Sequence, residues 1–393
     1  MANLTVDRPH FVTHLECGLT GERYSAGEEH GLSRAGRPLL VRYDLPALAR
    51  SLDKRALAAR PPGLWRYREF LPVPAAASLV SLGEPMTPVL RLSRLEAGSG
   101  ALHVKDEARL PTGSFKARGL AMAISMAHAF GRTRVALPTN GNAGAACAAY
   151  AARAGMECFV FCPDDTPEIN IRETAAQGAR VERVPGLITD CGKRVAEGAA
   201  RHGWFDLSTL KEPYRLEGKK TMGLEIAEQF DWRLPEVILY PTGGGTGLIG
   251  MWKAFQELKA IGWLEGPLPR MVVVQASGCA PIVRAWQLGR DHADPWPDAR
   301  TVASGIRVPA AVGDFLMIRA IRESGGFATT VDDDAILDAR DRCATREGML
   351  LCPESAATLA AYEQECATGR IGPHESVLLI NCAAGNKYDL PPV

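Results

Sequence analysis

The sequence predicts an α/β fold with mostly parallel sheets and helices on both faces of each sheet. Short apolar or β-branched runs recur along the chain, and longer alanine-rich stretches separate them. The strand-like runs are, in chain order, HVKDE, RVALPT, ECFVFCP, ARVERVP, EVILYPT, MVVVQAS and SVLLINC. The intervening stretches include ARGLAMAISMAHAF and GNAGAACAAYAARAG, which have helical composition. Strands that alternate with helices are typical of parallel sheets, because a parallel pair needs a long crossover connection.

The composition fits a cytoplasmic globular protein of two or three domains. The chain has 393 residues, of which 46% are apolar, so a large core is expected. Lys plus Arg and Asp plus Glu both number 45, so no net charge attracts nucleic acid or an anionic membrane. The first residues lack the pattern of a signal peptide, and no apolar run is long enough to span a bilayer. We therefore expect a cytoplasmic protein that binds neither nucleic acid nor membrane.

Residues 1–80 form an arm that precedes the alternating pattern. It ends in the proline- and alanine-rich stretch RPPGLWRYREFLPVPAAAS, after which TPVLRLSRL opens the main body. Cys17 in LECGLTG and the later HGLSRAGRPLLVRYDL have the outline of a zinc ribbon. Thr20 stands at the second ligand position, and no cysteine follows until Cys147, whereas structural zinc needs four ligands. We interpret the arm as a metal-free ribbon remnant and expect no bound metal.

The ten cysteines are expected to be reduced rather than paired in disulfides. Cys147, Cys158 and Cys162 lie among apolar residues, which favours a role as small packed hydrophobic side chains.

A glycine-rich loop after EVILYP predicts an anion site. The loop reads TGGGTGLIGMWKAF and contains Gly243, Gly244, Gly245 and Gly247 just before a helical pattern. Glycines let backbone N–H groups close around an anion, and a helix N-terminus adds a favourable dipole. The loop has no lysine, so a phosphate monoester fits better than a nucleoside triphosphate. A tight turn that uses glycine for close packing is the alternative.

Two further loops follow predicted strands, where parallel sheets place their sites. PTNGNAGAACAAYA carries Thr139, Asn140 and Asn142, which either cap the next helix or seat a carboxylate or a ring hydroxyl. SVLLINC ends at Cys382, whose thiol could face a ring nitrogen. A fourth segment, PTGSFKARG, places Lys116 between glycines. A phosphate monoester site and a lysine that can form an imine are two parts of a pyridoxal phosphate site.

PTGSFKARG, TNGNAG, PTGGGTG and NCAAGNKY together resemble the fold type II pyridoxal-phosphate enzymes, the tryptophan synthase β-like family. The stretch from STLKEPYRLEGKKTMG through GLIGMWKAF resembles the threonine synthase branch of that family. The resemblance implies two three-layer α/β domains with the cofactor in a cleft between them. Residues 81–107 and 208–393 would form the large domain, residues 108–207 a small mobile domain, and the protein would be a homodimer.

The resemblance also implies a role for each motif residue toward pyridoxal 5'-phosphate. Lys116 would hold the cofactor as an imine and later move protons, and Phe115 would pack near the ring. Asn142 would bond the ring hydroxyl, and Cys382 would face the pyridine nitrogen in place of the usual threonine or serine. The phosphate would lie in the loop formed by Gly243, Gly244, Gly245, Thr246 and Gly247.

For the substrate, the resemblance implies conversion of O-phosphohomoserine and water to threonine and phosphate by γ-elimination and β-hydration. The implied substrate contacts are Ser114, Thr139, Asn140 and Arg215. Lys211, Lys219 and Lys220 could add positive charge near the substrate phosphate, although solvated lysines are more common. Glu354 either reaches the ring or only caps its helix, and Asp106 and Glu107 approach the lysine loop without an assigned role.

Two alternatives remain open at this point. A threonine or serine dehydratase, or a β-replacement enzyme, would use the same lysine, asparagine and glycine loop. A protein that keeps the fold as a non-catalytic sensor is the more distant alternative, and the presence of Lys116 argues against it.

Overall fold

The computed structural model describes residues 11–73 and 75–390. The strands in this part of the chain are β1 (Val12–Cys17), β2 (Arg23–Tyr24), β3 (Leu39–Tyr43), β4 (Val89–Arg91), β5 (Leu102–Asp106), β6 (Arg134–Pro138), β7 (Glu157–Pro163), β8 (Arg180–Val184), β9 (Phe205–Asp206), β10 (Val237–Pro241), β11 (Arg270–Ala276), β12 (Phe327–Val331) and β13 (Val377–Asn381). The α-helices are α1 (Leu45–Ser51), α2 (Lys54–Ala58), α3 (Lys116–Ala129), α4 (Asn142–Arg153), α5 (Glu168–Ala176), α6 (Ile188–His202), α7 (Tyr214–Gln229), α8 (Thr246–Ala260), α9 (Pro281–Gln287), α10 (Asp314–Glu323), α11 (Asp333–Glu347) and α12 (Pro353–Ala367).

Two sheets form the main body. The larger has the order β12-β11-β10-β13-β5-β4, in which only β4 runs antiparallel to its neighbour. The smaller has the order β8-β7-β6-β9 and is parallel throughout. The predicted mostly parallel α/β architecture is confirmed, and all seven predicted strands are present. The sequence analysis did not predict β12, in which two of the five residues are threonine, or β9, which has two residues.

The two α-helices beside the predicted lysine loop pack unusually closely. A Cβ atom added at Gly218 in α7 would lie 2.1 Å from the carbonyl oxygen of Arg118 in α3. Only glycine allows this approach of two helix backbones. The first turn of α3, where Lys116 lies, is therefore held against α7.

A buried ion network fixes the same helices to the large sheet. The Arg118 guanidinium donates to Glu107 at 2.5 Å and to Glu225 in α7 at 2.7 Å. Lys105 in β5 donates to Glu225 at 2.8 Å. Burial alone would raise the pKa of Glu225, but Arg118 and Lys105 together lower it to about 2. Glu107 thus anchors Arg118, two residues after Lys116, while Asp106 accepts a 2.8 Å hydrogen bond from Asn381 at the end of β13.

The arm packs into the main body. Its sheet has the order β2-β1-β3 and is antiparallel, and its first ten residues lie outside the described ranges. Leu15, Leu39 and Val41 join one apolar core with residues of α3, α4 and β6. The Tyr43 hydroxyl donates to Glu217 in α7 at 2.7 Å. The arm thus braces α7, the helix that carries the predicted substrate arginine.

Cys17 ends β1, where the first ligand of a zinc ribbon would stand. Its thiol hydrogen-bonds the Ser33 hydroxyl at 3.1 Å and accepts from the Thr20 N–H at 3.4 Å. Burial raises its pKa, but these hydrogen bonds outweigh burial and lower the pKa to about 7. The positions around this thiol are therefore taken by protein groups.

The cysteines are free thiols, as predicted. Cys147, Cys158 and Cys162 are buried, which confirms their packing role. Within the described ranges, no helix is both long enough and apolar enough to cross a membrane.

Candidate active site

A cavity of about 400 Å³ lies at the carboxyl ends of strands from both parallel sheets. Its wall contains residues that follow β6 in the small sheet and residues that follow β10 and β13 in the large sheet. Eleven of the thirteen predicted site residues line it, namely Lys116, Phe115, Thr139, Asn140, Asn142, Gly243, Gly244, Gly245, Thr246, Arg215 and Cys382. The loops that the sequence singled out separately therefore meet in one space.

Lys116 is the first residue of α3 and lies half-buried in the cavity wall. Its Nζ is 3.9 Å from the centroid of the Phe115 ring. Burial lowers the pKa of the Lys116 amine, although Cys382 and Glu354 partly oppose this effect. The Phe115 N–H donates to the Cys382 carbonyl oxygen at 2.9 Å, so the lysine loop is fixed to the end of β13. The arrangement favours a neutral, nucleophilic amine at a defined position.

A second lysine lies beneath Lys116. Lys219 is fully buried, donates to the Phe115 carbonyl oxygen, and places Nζ 3.8 Å from the centroid of the Phe115 ring. Burial, followed by the charges of Lys116 and Arg215, lowers its pKa well below the usual value. Lys220 is also fully buried and pairs with Glu217 at 2.6 Å and Glu257 at 2.9 Å. The expectation that these two lysines are solvated is wrong, and neither lines the cavity.

The glycine loop joins β10 to α8 and has no room for side chains. A Cβ atom at Gly244 would lie 2.9 Å from Thr209 Cγ2, and one at Gly245 would lie 2.1 Å from Met317 Sδ. Gly245 has φ of +74° and immediately precedes the first turn of α8. Gly247 does not line the cavity, because it packs against the Tyr240 hydroxyl, 1.9 Å from an added Cβ. The loop presents backbone N–H groups and a helix N-terminus, which fits a phosphate monoester.

The opposite end of the predicted ring site also fits the cofactor. Asn142 donates from Nδ2 to the Tyr388 hydroxyl at 2.9 Å, and its buried Oδ1 has no hydrogen-bond partner within residues 11–73 and 75–390. An unpaired buried amide oxygen is costly, so a ligand hydroxyl at this point would compensate it. Cys382 places a buried thiol in the cavity wall directly after β13. These residues, with the glycine loop and Lys116, fit pyridoxal phosphate.

The predicted substrate residues divide into two groups. Arg215 in α7 is buried in the cavity wall and donates from Nη1 to the Leu207 carbonyl oxygen at 2.5 Å, while its Nε finds no hydrogen-bond partner in the described part of the chain. Lys211 also lines the cavity and is 30% exposed, so Lys211 and Arg215 face the same space. Thr139 and Asn140 line the cavity as well, but the side chains of both form hydrogen bonds with the protein backbone. The Thr139 hydroxyl bonds the Gly141 and Gly144 backbone, and Asn140 donates to the Arg307 carbonyl oxygen at 3.1 Å.

Ser114 stands apart from this group. It is fully buried behind the lysine loop, forms a bridge with Ala383, and does not line the cavity. Its hydroxyl has no hydrogen-bond partner among the described residues.

Several cavity residues were not assigned from the sequence. Tyr388 and residues 304–306 line the wall, and the signal for Tyr388 was its place inside the NCAAGNKY motif. Glu354 lies in the first turn of α12, but its Oε1 accepts from the Gly305 N–H at 2.6 Å, and it lines the cavity. Of the two roles left open for Glu354, these contacts favour the one in the cavity. Gly305 and Glu354 are 49 residues apart in the sequence, so no local sequence pattern predicts their contact.

Glu212 gives the site a testable pH dependence. Burial raises the pKa of its carboxyl group to about 7, although Arg215 and backbone N–H groups oppose this effect. Because the folded state holds this proton more tightly, the contribution of Glu212 to stability is lost as pH rises from about 4.5 to 7. Between pH 5 and pH 8, the free energy of unfolding of Glu212→Gln should therefore rise by up to about 3 kcal/mol relative to that of the wild type. Urea unfolding of both proteins at the two pH values measures this difference, and parallel pH profiles would contradict it.

Comparison with known proteins agrees with this geometry. Residues 80–383 match the family described as pyridoxal-phosphate dependent enzyme. The threonine synthase of Methanocaldococcus jannaschii is 33% identical over 374 residues, which cover 94% of this chain and 92% of that protein. The threonine synthase of Methanosarcina acetivorans is 35% identical over 371 residues, which cover 93% of this chain and 90% of that protein.

Solved structures show the same fold. Maize serine racemase superposes with a TM-score of 0.66 at 22% identity and covers 78% of this chain and 89% of its own. The processed form of threonine deaminase isoform 2 from Solanum lycopersicum superposes with a TM-score of 0.66 at 20% identity. The superposition covers 83% of this chain and 92% of that structure's chain. The family match spans most of the chain and includes every residue that lines the cavity except Tyr388. This chain belongs to the pyridoxal-phosphate dependent enzyme family, and its fold is that of the fold type II members.

Proposed function

We propose that this protein is a threonine synthase, which converts O-phosphohomoserine and water to threonine and phosphate. The observation that carries the proposal is that one cavity combines three features. These are a lysine with a lowered pKa, a glycine loop suited to a phosphate monoester, and two cations suited to a second phosphate. The similarity to named threonine synthases over 94% and 93% of the chain supports the same reaction.

The residues that would hold pyridoxal phosphate are Lys116, Asn142, Cys382 and the loop at residues 243–247. When bound, the cofactor supplies an electron-accepting ring that stabilises negative charge on the substrate's α carbon. A thiol is only a weak hydrogen-bond donor, so Cys382 would leave a ring nitrogen facing it largely unprotonated.

Lys116 is the proposed acid and base. Burial favours the neutral amine, which can take a proton from the α carbon and then one from the β carbon of a substrate held within its reach, so that the electron pair of the β C–H bond expels the γ phosphate. Arg215 and Lys211 would hold the phosphate on the γ carbon and stabilise the charge that it gains as it leaves. Water then adds at the β carbon, and Lys116 returns protons to the carbon chain.

An assay of the purified protein tests the reaction. With O-phosphohomoserine and pyridoxal phosphate, we expect inorganic phosphate and threonine in equal amounts. A separate incubation with threonine tests the dehydratase alternative through 2-oxobutanoate. Release of 2-oxobutanoate without phosphate turnover would overturn the threonine synthase proposal while leaving the cofactor site intact.

Arg215→Gln is expected to lower kcat/KM for O-phosphohomoserine by about a hundredfold. Hydrogen bonds from a charged donor to phosphate contribute about 1.5 to 3 kcal/mol, and the amide lacks the charge. Phosphate release measures the effect, and the visible absorbance of the bound cofactor should remain. Arg201→Gln, at an exposed position in the last turn of α6, is the matched control. Unchanged kcat/KM in Arg215→Gln would remove Arg215 from the substrate site.

We also propose that residues 108–207 form a small domain that closes over substrate against the large domain of residues 81–107 and 208–393. The contacts that would hold the closed state include a bidentate pair between Arg307 and Asp165, at 2.7 and 2.8 Å. Asn140 donates to the backbone of the same arginine.

Asp165→Asn is expected to raise KM by up to about fivefold, because a partly exposed ion pair contributes up to about 1 kcal/mol. Asp164→Asn changes the neighbouring carboxylate, which forms no ion pair with the described residues, and serves as control. Steady-state kinetics compare the two variants, and equal KM values would argue against this contact as a clasp.

By the same resemblance, we propose a cytoplasmic homodimer. Light scattering would test the assembly, since one chain has a mass of 42.3 kDa and a dimer twice that mass. A monomeric mass at assay concentration would reject it.

A further inference from the structure

Three donor side chains converge at one side of the cavity. Cys352 immediately precedes α12, Glu354 lies in its first turn, and Cys382 follows β13. One ligand atom from each lies within 4.8 Å of the other two, and all three residues are buried. In the described ranges, this is the one group of at least three such side chains that meets the geometry of a metal site.

The distance between the two sulfur atoms suits a tetrahedral metal. Cys352 Sγ and Cys382 Sγ are 3.6 Å apart. Two thiolates at about 2.3 Å from a tetrahedral zinc ion lie about 3.8 Å from each other. The sulfur atoms therefore need almost no movement to share one cation.

The third donor is a buried carboxylate. Glu354 Oε1 accepts from the Gly305 N–H at 2.6 Å, whereas Oε2 is buried and has no hydrogen-bond partner of regular geometry among the described residues, although the Tyr388 hydroxyl lies close to the carboxylate. Glu354 is 1% exposed, so this oxygen has no direct access to bulk water. One of its oxygens lies within 4.8 Å of both sulfur atoms, so a cation held by the two sulfurs would lie within reach of the carboxylate. Two thiolates and a carboxylate carry three negative charges, which compensate a divalent ion in a buried position.

Neighbouring groups hold the sulfurs in place. The Ser355 hydroxyl lies 2.9 Å from Cys352 Sγ and accepts from the Cys382 N–H at 2.8 Å. Such contacts to ligand residues fix their orientation and strengthen metal binding. Cys382 and Glu354 line the cavity, which provides a path for an ion, while Cys352 lies behind them.

We propose that Cys352, Glu354 and Cys382 form a binding site for a thiophilic divalent cation such as Zn²⁺ or Cd²⁺, and that this cation competes with pyridoxal phosphate. On binding, both thiols release their protons to solvent, and water from the cavity completes the coordination. Competition rests on the proposed function of the cavity, because Cys382 would face the cofactor ring. The cation site itself rests only on the three side chains.

The chain contains its own control pair. Cys147 Sγ and Cys158 Sγ are 3.5 Å apart and buried in the small sheet region, but no carboxylate or histidine completes a cluster there among the described residues. Two sulfurs alone give an incomplete zinc site. This pair should bind cadmium weakly or not at all.

The test is a titration of the full-length protein, freed of cofactor, with CdCl₂. The thiolate-to-cadmium charge-transfer band in the ultraviolet reports binding. We expect one cadmium per chain, with affinity at least about tenfold lower in Cys352→Ser and in Glu354→Gln. Cys158→Ser should bind as the wild type does. Unchanged affinity in Cys352→Ser, or loss of binding in Cys158→Ser, would overturn the site, and thermal unfolding of each variant shows whether it is folded.

A second titration tests competition. Adding pyridoxal phosphate to the cadmium complex should remove the ultraviolet band from the wild type, and simultaneous binding of both would overturn the competition. Phosphate release from O-phosphohomoserine is measured separately on cofactor-loaded protein without cadmium. A cadmium site in a protein that lacks this activity would reject the proposed function and leave the cation site standing.

Discussion

Lys116→Ala is expected to lower kcat by at least about a thousandfold. The variant loses both the covalent attachment to the cofactor and the proposed acid and base, and general acid–base catalysis alone contributes about 10² to 10⁴. Phosphate release at saturating O-phosphohomoserine measures the effect. The cavity is otherwise unchanged, so pyridoxal phosphate should still bind non-covalently through the glycine loop.

Lys259→Ala is the control for this substitution. Lys259 lies in the last turn of α8, is exposed away from the cavity, and donates to the Gly266 carbonyl oxygen at 2.8 Å, so its loss should leave kcat within about twofold of the wild type. If Lys116→Ala kept a tenth or more of the wild-type kcat, Lys116 would not be the catalytic amine.

Gly245→Ala is expected to lower the affinity for pyridoxal phosphate by more than about tenfold. The residue has φ of +74°, where a side chain costs about 1 to 2 kcal/mol. Its Cβ would also lie 2.1 Å from Met317 Sδ, so either the methionine or the loop must move. Movement of the loop changes the direction of the N–H groups that form the phosphate site. Titration of the cofactor by visible absorbance measures the affinity.

Gly262→Ala separates backbone strain from the change in the loop. Gly262 follows the other end of α8, has φ of +75°, and an added Cβ there would meet nothing within 4 Å. This control should lose about 1 to 2 kcal/mol of stability and keep its cofactor affinity. Equal cofactor affinity in both variants would show that the Gly245 loop does not hold the phosphate.

The sequence predicted the elements that local patterns determine. Alternation of apolar runs with alanine-rich stretches predicted seven strands correctly, because buried parallel strands are continuous apolar segments. The glycine loop and PTGSFKARG could be found because backbone geometry there demands particular residues over a few positions. Their meeting in one cavity follows from the rule that parallel strands end at the same edge.

The features that the sequence did not predict depend on contacts between residues far apart in the chain, which leave no local sequence pattern. Lys219 and Lys220 have the sequence pattern of surface lysines, yet both are fully buried in α7. Lys220 is buried because Glu217 and Glu257 compensate its charge, and the second of these lies in α8. The approach of Cys352 and Glu354 to Cys382 joins α12 to the end of β13, and sequence spacing does not predict it.

Borohydride reduction of the cofactor-loaded protein, followed by peptide mass spectrometry, tests the central claim most directly. Reduction converts an imine to a stable secondary amine and so marks the lysine that carries the cofactor. The geometry predicts a single pyridoxyl adduct on Lys116, whose amine lies in the cavity wall. Lys219 serves as a control within the same protein, because its amine also lies near the Phe115 ring but does not line the cavity. An adduct on Lys219, or no adduct on any lysine, would contradict the assignment of this cavity as a pyridoxal phosphate site.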